Sequence, residues 1–227
     1  METLRKSQSH LLAGSASVVA GLSFLVGLVV YFSVFALASY GDMTHDVLTQ
    51  LNLMSSHSTL MYVWYFVIYI VFGVALIALQ VGIKPYLEAG VLSSIALIFG
   101  YLWSGLTITC GMLANVGTYM ILQLMPHQQD IAISLWYTLQ MLLNGIGGGN
   151  ELVGGVWLAM LGLSLANDCT INRWLKWVAV IFGCFGVLTS VPMLTELGGV
   201  FGLGSMVWFL VMGRYQLDLY KKVKTYE

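Results

Sequence analysis

Long apolar runs separated by short polar or proline-bearing segments dominate this chain and leave it few ways to fold. They fall at 11–38, 59–82, 91–125, 131–166, 174–191 and 197–213, close to or above the roughly 20 residues needed to cross an apolar layer about 30 Å thick. A soluble domain of 227 residues cannot hide that many such runs in one core. The balance of residue types agrees, with 59% hydrophobic and only 8% charged, against roughly 25% charged in soluble domains. The expectation is an all-α membrane protein of six transmembrane helices, forming one domain over 1–227. A net charge of −1 gives no electrostatic footing for nucleic acid.

The cations set the orientation, because Lys and Arg in short loops stay on the cytoplasmic side. With six crossings, Arg5, Lys6, Lys84, Arg173, Lys176, Arg214, Lys221, Lys222 and Lys224 all share one side. The opposite segments carry Asp42, His45, Asp46, His57, His127, Asp130 and Glu196. Both termini are therefore expected in the cytoplasm. Residues 11–38 are too long for a signal-peptide core of 7–15 residues, so the first run reads as a retained span. The run 131–166 is interrupted by glycines at 145 and 147–149. A second crossing there would move Arg173, Lys176 and the basic tail outside, so it counts once. At about 1.5 Å per residue, the third and fourth runs exceed the bilayer core and predict a hairpin projecting outward around Pro126.

Polar residues recur inside these runs at helical spacing. On the third, Ser104, Thr107, Gly111, Asn115 and Thr118 share one face. On the fourth, Gln140, Asn144, Gly148, Glu151, Gly155, Ala159 and Gly162 do the same, so the two stripes are expected to face each other. On the second, Tyr62, Tyr65, Tyr69 and Gly73 form an aromatic stripe. Small residues and hydroxyls also serve plain helix packing in membranes. Glu151 is different. An acidic residue within an apolar span costs a few kcal/mol and is a functional candidate by default. With no cation on its side, it is expected to be protonated, hydrogen-bonded to Asn115, Asn144 or a tyrosine, or open to an aqueous cavity. Glu196, in the short turn before the last run, lies at a depth that lets it approach Glu151.

Other chemistries find less footing. His45, Asp46, His57 and His127 have ligand types suited to zinc or a general base, but no metal-binding spacing. No phosphate-binding glycine loop ends in Gly-Lys-Ser/Thr, and no cofactor is implied. Cys110, Cys169 and Cys184 are far apart and read as free thiols.

Residues 149–158, Gly-Asn-Glu-Leu-Val-Gly-Gly-Val-Trp-Leu, then Leu161-Gly162-Leu163, Asn172-Arg173-Trp174-Leu175 and Val200-Phe201-Gly202-Leu203-Gly204 resemble an uncharacterised bacterial family of six-helix membrane proteins with a domain of unknown function. The resemblance covers 145–213, and the family's proline before the arginine is Asn172 here. It implies the bacterial inner membrane and no known activity.

The expected function is binding of a small molecule, lipid or ion in an outward-facing polar and aromatic cavity between the second, third and fourth spans, in a receptor or transporter. Glu151 would hold a proton or cation, with Glu196 nearby. Gln140, Asn144, Asn150, Asn115 and Thr118 would orient the ligand, and Tyr62, Tyr65 and Tyr69 would form a wall. The alternatives are a membrane-embedded hydrolase or metal enzyme using external His and Asp, and a partner subunit packing against another membrane protein or a second copy. Membrane lipids are expected around it in every case.

Overall fold

The computed structural model describes residues 2–148, 150–165, 173–194 and 196–225, with side chains for all of these except 2–5, 147, 148, 150 and 192. Helices account for the secondary structure, and among the described residues the nearest thing to a sheet is an isolated bridge between Leu87 and Leu165.

Helix α1 (Glu2–Val30) widens into a π turn over Tyr31–Phe35 and tightens into a 3-10 turn over Ala36–Ala38. Ser39 stops it by adopting the left-handed conformation at φ 49°. A short helix that hydropathy does not reveal, α2 (Val47–Ser56), follows. Asp46 caps it by accepting from Leu48 N at 3.3 Å and Thr49 N at 3.0 Å, satisfying amides that the first turn leaves free. Helix α3 (Ser58–Tyr65) passes through a second π turn, Phe66–Val71, into α4 (Phe72–Ile83). Helix α5 (Val91–Leu124) has 34 residues. A turn over 125–128 leads to α6 (Gln129–Leu142), a third π turn (Leu143–Gly148) and α7 (Asn150–Ser164). Helices α8 (Arg173–Leu188) and α9 (Leu197–Thr225) complete the chain.

Four stretches are long and apolar enough to cross a membrane: Lys6–Ala38, Ser58–Tyr86, Val91–Leu124 and Leu197–Thr225. Six were expected. The run 131–166 is divided at its glycines, which weaken a helix by leaving the backbone free. Helix α8 has 16 residues, or about 24 Å of rise. Large apolar side chains such as Val29, Phe32, Val74, Ile98, Met112 and Ile181 are more than half exposed, a surface suited to lipid rather than water.

Helix α1 packs on α9 and α4, α7 on α8 and α5, and α5 on α6. Rings fill the centre: Trp157 meets Trp208 edge-on at 5.8 Å and stacks on Phe209 at 5.7 Å, while Trp103 lies 5.2 Å from Phe72. Trp157 Nε1 donates to Gln80 Oε1 at 3.0 Å and Trp208 Nε1 to Leu175 O at 3.1 Å, so these two buried indoles each meet an acceptor. A second core, with Phe35, Leu51, Met54, Tyr65, Ile121 and Trp136, sits under α2.

Tertiary contacts gather the basic segments at one end. Tyr86 donates to Lys6 O at 3.1 Å, Glu88 N to Ser164 O at 2.8 Å, and His10 Nδ1 meets Gln216 Oε1 at 2.6 Å. Lys176 Nζ donates to Leu165 O at the same end. The loop carrying Asp42 and His45 lies at the other, beyond the far end of α1.

The small-residue stripe of α7 does not face α5 as expected. Gly155, Ala159 and Gly162 pack against α8, where a Cβ on Gly183 would lie 2.5 Å from Ala159 N. It is Gly154, one position along, that meets Trp103 of α5.

Candidate functional site

About 20 Å along α7 from the basic end, the helices part around a cavity of about 320 Å³. Helix α1 contributes Ser23, Phe24, Gly27 and Leu28, and its π turn adds Tyr31. Across from it stand Trp64, Ile68, Tyr69 and Phe72, and α5 supplies Trp103 and Thr107. Glu151 of α7 and Gly198, Phe201 and Gly202 of α9 close it. Two of the three π turns reach this space, through Tyr31 and through Ile68 and Tyr69. Such widened turns displace side chains from helical register and recur at functional sites.

The walls are fixed by contacts behind them. Trp64 Nε1 donates to Gly27 O at 3.1 Å, tying α3 to α1. Phe72 and Trp103 belong to the central ring cluster, and Trp103 lies 6.1 Å from Phe201. Gly198 and Gly202 leave room: a Cβ on Gly202 would meet only Phe24 Cε1 at 3.8 Å, and one on Gly198 would stand 3.5 Å from Glu151 Oε1. Both are ordinary contacts. These two glycines therefore open space rather than let backbones touch.

Glu151 is the one acid among these lining residues, and neither Lys nor Arg joins it. Its Oε2 is buried and has no hydrogen-bond partner. Two hydroxyls nearby have their protons engaged, Ser23 on Val19 O at 2.9 Å and Thr107 on Trp103 O at 2.8 Å. What remains is a carboxyl group set among aromatic faces.

Of the residues singled out from sequence, the structure brings Glu151 and Tyr69 to this cavity. Tyr65 and Gln140 lie elsewhere, in a buried polar group around Tyr40. There the hydroxyls of Tyr40 and Tyr65 are 2.8 Å apart, and the Tyr65 ring stacks on Tyr69 at 5.9 Å. Burial pushes the Tyr40 hydroxyl to about 12, against the lowering effect of Tyr65, Gln140 and Trp136 beside it. Gln140 Nε2 and Trp136 Nε1 nevertheless complete no hydrogen bond. Asn115 Oδ1 and Thr118 Oγ1 are also buried without partners, on the inward face of α5 as their spacing predicts. Tyr62 is half-buried and does not line the cavity. Asn144 is exposed, because the π turn over Leu143–Gly148 turns it off the stripe it was expected to share with Glu151. Glu196 is exposed too, and is not among the lining residues. Asn150 begins α7, and its side chain lies outside the described residues.

The His and Asp residues expected outside are not gathered into one cluster. Among the described residues, no three His, Cys, Asp or Glu side chains are placed to hold a metal ion. His45 Nδ1 contacts Asp42 Oδ2 at 2.8 Å, Asp46 caps α2, His57 joins α2 to α3 and His127 occupies the 125–128 turn. Cys110 is buried and Cys184 exposed, both free, and Cys169 lies outside the described residues.

Sequence reasoning missed the wall from α1. Ser23, Gly27 and Tyr31 recur every four residues, the same signal that marked the other stripes. Gly198 and Gly202, four residues apart, read as a helix-packing pair instead, and Trp103 and Phe201 carried no such signal, since apolar residues on an apolar helix do not announce which neighbour they meet. Set against family models, curated proteins and solved structures, the chain matches none of them.

Proposed function

We propose that this chain is a multi-pass membrane protein that binds a small organic ligand in the cavity beside Glu151, as a receptor or transporter. The observation that carries this is an acidic side chain with an unpartnered, buried oxygen in an aromatic-walled space of about 320 Å³. That volume is at the lower end of small-molecule sites. Packing alone leaves such a group costly, because a buried polar atom without a partner forfeits its hydration. A ligand that satisfies it recovers that loss.

All six apolar runs cross the bilayer in this reading, with α6 and α7 forming one bent crossing and α5 and α6 a hairpin on the outer side. The gathering of Lys6, Lys84 and Lys176 at one end supports a cytoplasmic location for that end and for both termini. The resemblance over 145–213 implies the bacterial inner membrane. The cavity then lies in the outer half of the bundle.

Native mass spectrometry of the full chain extracted from bacterial membranes in mild detergent tests the reading. Wild type is expected to retain a discrete non-protein mass that Gly202→Leu, which fills the cavity, does not. Bare protein in both cases, or an equal adduct on both, would refute it.

A further inference from the structure

We infer that the ligand of this cavity is an organic ammonium ion with an apolar body, an inference that rests on the cavity being a binding site. The sign of charge comes first. Glu151 offers an acceptor with no Lys or Arg beside it, so an anionic headgroup or fatty acid would find no cation to pair with.

The donors come second. Ser23 and Thr107 give their protons to Val19 O and Trp103 O, and the Trp64 indole gives its own to Gly27 O. The hydroxyls of Tyr31 and Tyr69 and the indole N–H of Trp103 remain among the lining side chains, three neutral donors with no cation among them. A sugar, carboxylate or phosphate needs several donors at once and would leave most of its oxygens unsatisfied.

A bare metal ion fares no better. Calcium takes six to eight oxygen ligands and magnesium holds near-octahedral geometry, whereas Glu151 supplies the one carboxyl group among the lining residues, the other side-chain oxygens being the neutral hydroxyls of Ser23, Tyr31, Tyr69 and Thr107. An alkylated ammonium needs no such shell. Its charge is satisfied by one carboxylate and by the negative faces of aromatic rings, as in the cages that recognise quaternary ammonium groups. Tyr31, Trp64, Tyr69, Phe72, Trp103 and Phe201 supply those rings, and the apolar remainder of the ligand meets Leu28 and Ile68.

The test uses two molecules of the same shape, benzyltrimethylammonium and its uncharged carbon analogue neopentylbenzene, titrated against the full chain in a neutral detergent. Quenching of Trp64 and Trp103 reports occupancy. The ammonium is expected to bind at least tenfold more tightly than the hydrocarbon. Glu151→Gln is expected to lose that tenfold for the ammonium and leave the hydrocarbon unchanged, which also shows that the variant is folded. Gly202→Leu is expected to abolish both. Should Glu151→Gln fail to fold, the ratio in wild type and the loss in Gly202→Leu decide. Equal binding of both probes, or ammonium binding indifferent to Glu151→Gln, overturns the ammonium assignment while the cavity stands as a binding site. Ammonium binding that survives in Gly202→Leu overturns the assignment by placing the probe elsewhere. No binding of either probe to wild type overturns the assignment and the cavity reading together.

Discussion

Adding a single methyl group at Gly183 forces α7 and α8 apart, whereas the same methyl at Gly202 does not disturb the bundle. The new Cβ at 183 would stand 2.5 Å from Ala159 N, 2.7 Å from Gly155 O and 2.8 Å from Ala159 Cβ. Carbon contacts settle at about 3.5–4.0 Å, so the helices must separate by about 1 Å along their closest stretch. The neighbours in the way are two backbone atoms and a Cβ, none of which can swing aside. Overpacking of this kind costs about 1–3 kcal/mol, offset by about 0.5–1 kcal/mol from replacing glycine with alanine in a helix. Gly183→Ala is therefore expected to destabilise by about 1 kcal/mol, and by no more than about 2.5 kcal/mol. Gly202→Ala keeps only the helical gain, since its nearest neighbour is Phe24 Cε1 at 3.8 Å. Cys110 is fully buried, so in a Cys169→Ser/Cys184→Ser background a thiol-reactive dye follows unfolding with temperature. The reasoning fails if Gly183→Ala melts at or above the parent, or if the two alanine variants shift the midpoint in the same direction.

The Trp157 to Gln80 bond gives a second test. Trp157→Phe and Gln80→Met are each expected to destabilise, but the double variant by less than their sum, with a coupling of about 1 kcal/mol from the same dye assay; strict additivity would contradict it. Asp42 gives a pH dependence. The Thr44 hydroxyl and then its backbone N–H hold the Asp42 carboxyl below its usual value, so its contribution to the loop is full above the ordinary carboxylate range and is lost as pH falls through the lowered value. Exchange protection of the Thr44 amide is expected to fall at that low pH and to be missing at neutral pH in Asp42→Ala, which removes the acceptor; protection unchanged in that variant would count against the bond. For topology, a membrane-impermeant maleimide is expected to label Asp42→Cys but not Lys221→Cys in intact cells, in the background free of Cys169 and Cys184. Labelling of Lys221→Cys would reverse the proposed orientation.

Hydropathy made the four long spans legible because nothing but a bilayer accommodates so many apolar residues on an outer surface. It ended the last of them at 213, whereas α9 continues to Thr225 as a polar helix with an Arg214 to Asp218 pair at 3.0 Å. Apolar content says nothing about where a helix stops once it leaves the lipid. Helix α2 was readable from Asp46 as a cap followed by Val47, Leu48 and Leu51, but Asp46 read instead as a loop residue and ligand candidate. Glu151 stood out because a lone acid in an apolar run has few innocuous explanations. The stripe built around it failed in part for a geometric reason. A π turn inserts one residue into the helical repeat and advances everything beyond it by about 100°. The turn over Leu143–Gly148 thus separates Gln140, packed beside Tyr40, from Glu151, which lines the cavity. Spacings of three and four hold only while the helix stays α. The partners of Glu151 on α1 and α9 were beyond the reach of periodicity, which identifies faces but not the faces they meet.

The central claim, that the space beside Glu151 is a ligand site, is tested most directly by a high-resolution density map of the protein in a lipid nanodisc. A discrete non-protein feature within hydrogen-bond reach of Glu151, flanked by Trp103 and Tyr69, is the expected result. A closed space, with Phe201 or Trp103 collapsed across it and the Glu151 carboxyl bonded to a neighbouring helix, would contradict the account and make Glu151 a packing group.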